Sequence, residues 1–236
     1  MNKLHIVLFG SLALTGAAVA EESTSKWGGE AELGIVATDG NTETQTLSAK
    51  AKAINERKKW KHELGFEALN TEDKDVTTAE RYSLTGKTNY KLSKRDYIFG
   101  YVSYKDDRFS GYDWRASESI GYGRHVIAEE NLTLNVEAGL GARQSERDDG
   151  TEEDEGLVRL FGALGWKISD TSKLTEELSS EIGEDVTISK SVTGLKTQIN
   201  SSLAMKITYT IEHTSEVPAT IEKVDRETAV TLVYSF

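Results

Sequence analysis

The 236-residue chain contains no cysteine. Disulfides and thiolate metal centres are therefore closed to it, and stability has to come from packing and backbone pairing. It contains a single proline, Pro218. Proline removes a ladder donor and is kept out of sheet interiors, so its scarcity suits a chain that is mostly continuous sheet. Basic residues are outnumbered: 28 Lys and Arg stand against 39 Asp and Glu, a formal charge of −11. That balance argues against nucleic acid as a partner, because phosphate binding needs basic patches. Beyond the first twenty residues, no apolar run approaches the ~20 residues of a spanning helix. Histidine is sparse too. His62, His125 and His213 lie in separate segments without metal-ligand spacing, and no phosphate loop or His-Glu-x-x-His pattern is present. We expect no enzymatic activity, no cofactor and no metal site.

What is present begins with an export signal. Lys3 supplies a small positive region, Leu4 to Val19 is largely apolar, and Ala18-Val19-Ala20 places small residues before Glu21-Glu22. This is the layout of a cleaved secretory leader over residues 1–20. It leaves residues 21–236 as one domain and implies export through the general secretory route.

That domain shows two-residue alternation, the mark of a half-buried strand. From Ile199 to Ile211 the odd positions are apolar apart from Ser201, and the even positions hold Asn200, Ser202, Lys206 and Thr208. Leu132 to Ala142 and Tyr82 to Leu92 repeat the pattern. Twelve strands are expected, near 27–37, 43–54, 60–69, 80–92, 96–106, 113–125, 131–143, 157–168, 172–182, 186–196, 199–212 and 224–236. Glu118, Glu176 and Lys190 disturb the apolar faces, and the 96–106 segment is apolar on both faces. Strands of ten or more residues exceed the ~5–6 usual in soluble sheets and match the ~9–11 of a tilted membrane strand. The fold predicted is all-β, a transmembrane antiparallel up-and-down barrel of twelve strands in the bacterial outer membrane.

Three further patterns agree with that architecture. Short connections alternate with longer polar ones such as Thr71–Thr78 and Gln144–Gly156, as short periplasmic turns alternate with outer loops. Trp27, Trp60, Tyr90, Tyr97, Tyr122, Trp166 and Tyr234 fall at the short-turn rim, where amphipathic rings prefer to lie. Tyr82, Tyr104, Tyr112 and Trp114 fall at the other rim. Glu30, Glu32, Lys50, Lys52, Glu63, Glu67, Arg81, Lys87, Glu137 and Arg159, with Lys61, Lys91, Arg143 and Lys167, fall on inward positions. Charges of both signs are thus expected to line the lumen, either pairing to close it or bordering a narrow aqueous path. The chain ends Leu232-Val233-Tyr234-Ser235-Phe236. A final strand closed by Phe236 resembles the signal that barrels present to the assembly machinery. The expected partners are that machinery, outer-membrane lipid and lipopolysaccharide.

Trp27-Gly28-Gly29-Glu30-Ala31-Glu32-Leu33-Gly34, followed by Thr38-Asp39-Gly40-Asn41-Thr42-Glu43-Thr44, resembles the opening of the salt-induced outer-membrane proteins, the YdiY-like family. The resemblance implies an outer-membrane barrel, with a link to salt or osmotic stress, and brings no catalytic residues. Asp39-Gly40-Asn41 also reads physically, as a tight reversal that tolerates positive φ.

Two other clusters compete for a functional role. His213 and Ser215 lie two apart on one strand face, the spacing a nucleophile and its base require. No orienting Asn or Asp can be assigned, so the leading reading stays a non-enzymatic channel or structural envelope protein, with a lipid or peptide hydrolase as the alternative. Glu146, Asp148, Asp149, Glu152, Glu153, Asp154 and Glu155 have the oxygen chemistry for Ca²⁺ or Mg²⁺ but not the spacing of an EF-hand. A solvated outer loop is the expected role.

Overall fold

The computed structural model describes residues 25–38, 44–73, 76–218 and 221–236. The leader expected over residues 1–20 and the Asp39-Gly40-Asn41 reversal lie outside the described residues. Among them, twelve antiparallel strands close into one barrel in which every strand pairs with its neighbours in sequence and β1 pairs with β12. They are β1 Lys26–Thr38, β2 Thr44–Glu56, β3 Trp60–Asp73, β4 Val76–Lys91, β5 Asp96–Asp107 and β6 Tyr112–Ala128. The second half follows with β7 Leu132–Arg147, β8 Glu152–Lys167, β9 Ser172–Gly183, β10 Thr187–Gln198, β11 Leu203–Thr214 and β12 Val224–Ser235.

Burial is inverted relative to a soluble protein. Leu140 and Ile120 are 69% and 67% exposed, while Glu137 and Arg159 are 4% exposed. Most apolar residues face outward and most charges face inward. Only a chain whose outer solvent is hydrocarbon is stabilised by that arrangement. Trp27, Trp60, Tyr90, Tyr122, Trp166 and Tyr234 all lie on outward positions near the rim that holds both chain ends.

The turns on that rim are built by side chains that accept backbone N–H groups. Ser93 Oγ accepts from Arg95 and Asp96, Ser169 Oγ from Thr171 and Ser172, and Asn200 Oδ1 from Ser202 and Leu203. Each is the short polar residue that reverses a chain by capturing its own backbone. The Asn200 turn takes up 199–202, so β11 begins at Leu203 rather than at Ile199.

Several expectations need correction. The acidic segment is not a long loop. β7 runs to Arg147 and β8 starts at Glu152, because the ladder continues through Ser145↔Glu153 and Glu146↔Glu152. Backbone pairing there outlasts the apolar alternation used to bound the strands. The same happens in β3 and β4, which pair as far as Asp73↔Val76. Outer connections are therefore not systematically longer: 108–111 and 148–151 match the inner turns 92–95 and 168–171. Lys190 faces the lumen, since Phe161 opposes Ser179 and Ser179 opposes Lys190. Glu176 and Glu118 do face outward. Glu176 is held by Ser191 Oγ at 2.7 Å and Thr193 Oγ1 at 2.5 Å, which keeps its oxygens hydrogen-bonded on the apolar side.

Gly150 closes the β7–β8 turn with φ +82, and nothing surrounds the place where a Cβ would stand. A substitution there is a test of backbone strain alone. Gly150→Ala is expected to lower stability by about 1 kcal/mol, and Gly150→Asn by less, because Asn tolerates the left-handed region. Urea unfolding in micelles, followed by tryptophan fluorescence, reads the difference. Equal stability of all three proteins contradicts a strained turn.

Candidate functional site in the barrel lumen

The lumen is assembled from every second residue of each strand, so its chemistry follows from register. Opposite charges meet there on neighbouring and distant strands. Lys52 and Lys61 both reach Glu63, at 3.0 and 2.9 Å, and Lys50 lies 3.6 Å from Glu67. On the closing strand, Glu30 takes Lys196 of β10 at 2.5 Å and Glu32 takes Lys206 of β11 at 2.8 Å. Thr231 donates to the other oxygen of Glu32 at 3.1 Å. Both lysines lie on strands past β12, so these pairs bridge the β1–β12 seam from inside.

A second group fills one side of the lumen. Glu137 of β7 accepts from the Tyr97 hydroxyl at 2.7 Å, from Arg159 at 3.1 Å, and from Lys87, which reaches it from β4. Its side chain has no exposed surface. Aromatic rings enclose the two cations. Lys87 Nζ sits 4.9 Å from the Phe161 ring centre, and the Arg159 guanidinium 4.2 Å from Tyr101 and 5.5 Å from Phe99. Two glycines of β6 beside this cage are required. A Cβ on Gly123 would stand 2.3 Å from the Tyr97 ring, and one on Gly121 2.8 Å from Phe99.

Tyr97 is thus not a girdle residue. It is 3% exposed, points inward and binds Glu137. Its strand carries Tyr97, Phe99 and Tyr101 inside and Ile98, Val102 and Tyr104 outside, so apolar content could not assign the face. Tyr112 is likewise buried at 2%, with the Arg115 guanidinium 4.4 Å above its ring.

The outer half is crossed from wall to wall. Lys105 of β5 meets Glu212 of β11 at 2.7 Å, and these strands stand six places apart in the ring of twelve. Arg81 of β4 meets Glu227 of β12 at 2.5 Å across four places. The lumen at this level is no wider than the joint reach of two side chains. Glu30, Glu32, Lys50, Lys52, Glu63, Glu67, Arg81, Lys87, Glu137 and Arg159 all border this interior. Sequence reasoning missed Lys105, Lys196, Lys206, Glu212 and Glu227. Lys206 and Glu212 carried a signal, since both lie on the even, polar face of the cleanest alternating strand.

The competing sites fare differently. Ser215 Oγ accepts the Thr187 N–H at 2.9 Å, and among the described residues no hydrogen bond joins it to the exposed His213. Four of the seven acids in the acidic segment are already engaged. Glu146 accepts from Trp114 Nε1, Glu153 pairs with Arg147, and Glu155 pairs with Arg143. Asp149 accepts the Thr151 N–H at 2.9 Å, and its bonds to Thr151 hold the carboxyl below the usual range. Among the described residues no metal-binding group of three or more His, Asp or Glu converges.

A model for a family described as a protein of unknown function, DUF481, matches residues 31–236. The chain is 31% identical over 208 residues to the uncharacterized protein YdiY of Escherichia coli strain K12, which covers 88% of this chain and 82% of that one. Among solved structures, the NanC porin aligns with a TM-score of 0.56 at 8% identity, over 89% of this chain and 98% of its own. An outer membrane channel from Pseudomonas putida F1 aligns with a TM-score of 0.49 at 9% identity, over 90% and 95%. At such identity the porin likeness is one of fold.

Glu137 is the only carboxylate in hydrogen-bond reach of Lys87 and Arg159 among the described residues. Glu137→Gln is expected to cost about 3–5 kcal/mol, the usual penalty for stranding buried partners of a lost charge. Lys223→Met, at an exposed rim pair, is expected to change stability by under ~0.5 kcal/mol. Urea midpoints in micelles compare the two. A Glu137→Gln barrel as stable as the parent would show that the cage does not depend on that carboxylate.

Proposed function

We propose that this chain, which belongs to the DUF481 family of proteins of unknown function, is a non-enzymatic outer-membrane channel of narrow bore, held nearly shut by ion pairs that cross its lumen. One observation carries the reading: Lys105 and Glu212, on opposite walls, meet at 2.7 Å. An inert scaffold gains nothing from charges inside, since apolar side chains of similar volume fill a core at least as well. Paired charges instead leave a path that water and small ions enter whenever a pair parts.

Ionic strength is the natural control. The Debye length falls from ~10 Å at 0.1 M to ~3 Å at 1 M salt, which weakens pairs that water can reach. A lumen closed by such pairs opens as salt rises, and this gives the family's implied link to salt or osmotic stress a physical route. The supporting features extend to its life history. Residues 1–20 serve as the secretory leader, Phe236 as the assembly signal, and the outward aromatics as anchors in lipid and lipopolysaccharide. Support for that reading of Phe236 comes from its N–H and C=O, which exchange hydrogen bonds with Gly29 at the closing seam, each 3.0 Å.

Planar-bilayer recording tests the channel. The parent barrel is expected to show small steps whose conductance rises more steeply with KCl than the bulk solution's does. Glu212→Gln together with Lys105→Met is expected to raise the low-salt conductance several-fold and flatten that dependence. A silent parent and a silent variant, both correctly folded by heat-shifted migration, overturn the proposal.

A further inference from the structure

We infer that the outer mouth of the lumen holds a binding subsite for a small soluble oxyanion, a carboxylate or phosphate, centred on Arg115 and Arg143. A shallow depression there is lined by Arg115, Arg143, Ser145 and Tyr112 together with the carboxylates Glu153 and Glu155. Arg143 is 3% exposed. Its Nε donates to Glu155 at 3.0 Å, and its Nη2 to Glu155 and to the Val186 carbonyl. Its Nη1 is buried and has no hydrogen-bond acceptor, the nearest carboxylate oxygen being Glu181 Oε2 at 3.6 Å. A buried guanidinium N–H left open costs free energy unless something accepts it.

The neighbouring cation is less committed than Arg143. Arg115 lies flat on the Tyr112 ring at 4.4 Å, and no carboxylate forms an ion pair with it among the described residues. The acids around the depression are already occupied. Glu155 accepts from Arg143 and from the Asp185 and Val186 N–H groups, and Glu153 is paired with Arg147 at 2.6 Å. Glu181 accepts from Ser117 at 3.1 Å. What remains is the Arg115 guanidinium, whose charge is shared only at a distance with Glu212, one open donor on Arg143 and the Ser145 hydroxyl. That set matches an oxyanion, whose oxygens accept several N–H and O–H groups at once.

The position restricts the source. Arg143 and Arg115 lie on lumen-facing positions of β7 and β6, so lipid headgroups outside the wall do not reach them. The ligand is one that enters from the aqueous side. The site stands apart from the conduction proposal, because binding is read without current.

Calorimetry on the full-length barrel in micelles, at low ionic strength, tests it with sodium phosphate and sodium acetate as separate probes. At least one is expected to bind with a dissociation constant of ~1 mM or tighter, and Arg115→Met to weaken it ~10-fold or more. Arg115 was chosen because its removal strands no carboxylate, whereas Arg143→Met would leave Glu155 unpaired. Lys223→Met, an exposed cation at the same rim, is expected to leave the affinity unchanged. Preference for phosphate or for acetate names the class. No heat with either probe, or an affinity that Arg115→Met leaves untouched, overturns the site.

Discussion

Every structural feature of this barrel follows from the absence of water around its middle. A peptide N–H or C=O facing hydrocarbon has no solvent to fall back on, so each one has to find a partner inside the chain. An open sheet leaves two edges unsatisfied, and closure removes both. The join is therefore the critical place, and here it is short. Ladder pairing between β1 and β12 runs from Glu30↔Ser235 to Leu33↔Leu232, extended by the reciprocal bonds of Gly29 and Phe236. Most other seams pair over ten or more residues. The Glu30–Lys196 and Glu32–Lys206 contacts pass over β12 and tie the closing strand to the far side of the join. Side chains supply there what the backbone ladder does not.

The same solvent argument fixes the interior. Strand alternation sends half of every strand inward, and a ring of twelve leaves a space that side chains have to fill or hydrate. This chain fills much of it with charge. A buried charge without a partner is costly, so the lumen is a set of matched pairs rather than a field of one sign. Glu137 shows how far this goes, since it answers Lys87 and Arg159 while Phe99, Tyr101 and Phe161 exclude water around all three. Folding and bore are consequently linked. The contacts that stabilise the closed ring are also the ones that obstruct the passage, and a condition that weakens them acts on both.

How much of this was legible in the sequence depended on what each strand packs against. β7 and β11 alternate cleanly because hydrocarbon lies outside and polar neighbours inside, so their faces could be read directly. In β5 the inward neighbours are Glu137, Arg159 and Lys87, which select aromatic partners, so an aromatic face meets an aliphatic one, the pattern leaves the faces undecided, and rim position alone points Tyr97 to the girdle. β10 misleads for the opposite reason. It turns Ser191 and Thr193 outward to cap Glu176, and Ile188 and Val192 inward beside Lys190. In the acidic segment, charge suggested a loop, whereas the ladder runs on because Arg143 and Arg147 neutralise the acids that face them. Pairs such as Lys105 and Glu212, separated by 107 residues, follow only from the closed ring and leave no trace in local pattern.

The conduction proposed for this molecule is a property of side chains, not of the fold. The twelve-strand ring is specified by backbone pairing and by the apolar outer face, and neither involves the side chains of Lys105, Glu212 or Arg115. The carboxylates and cations inside can therefore change sign or length without disturbing what makes the barrel a barrel, provided partners change together. That separates two kinds of lumen residue. Those in closed sets, such as Glu137 with its two cations, are tied to stability. Those with a donor not yet matched, such as Arg115 on Tyr112 and the open Nη1 of Arg143, are the ones the proposed oxyanion subsite rests on. Selectivity in this fold is expected to reside in the second kind, at the mouth, ahead of the pairs that narrow the path.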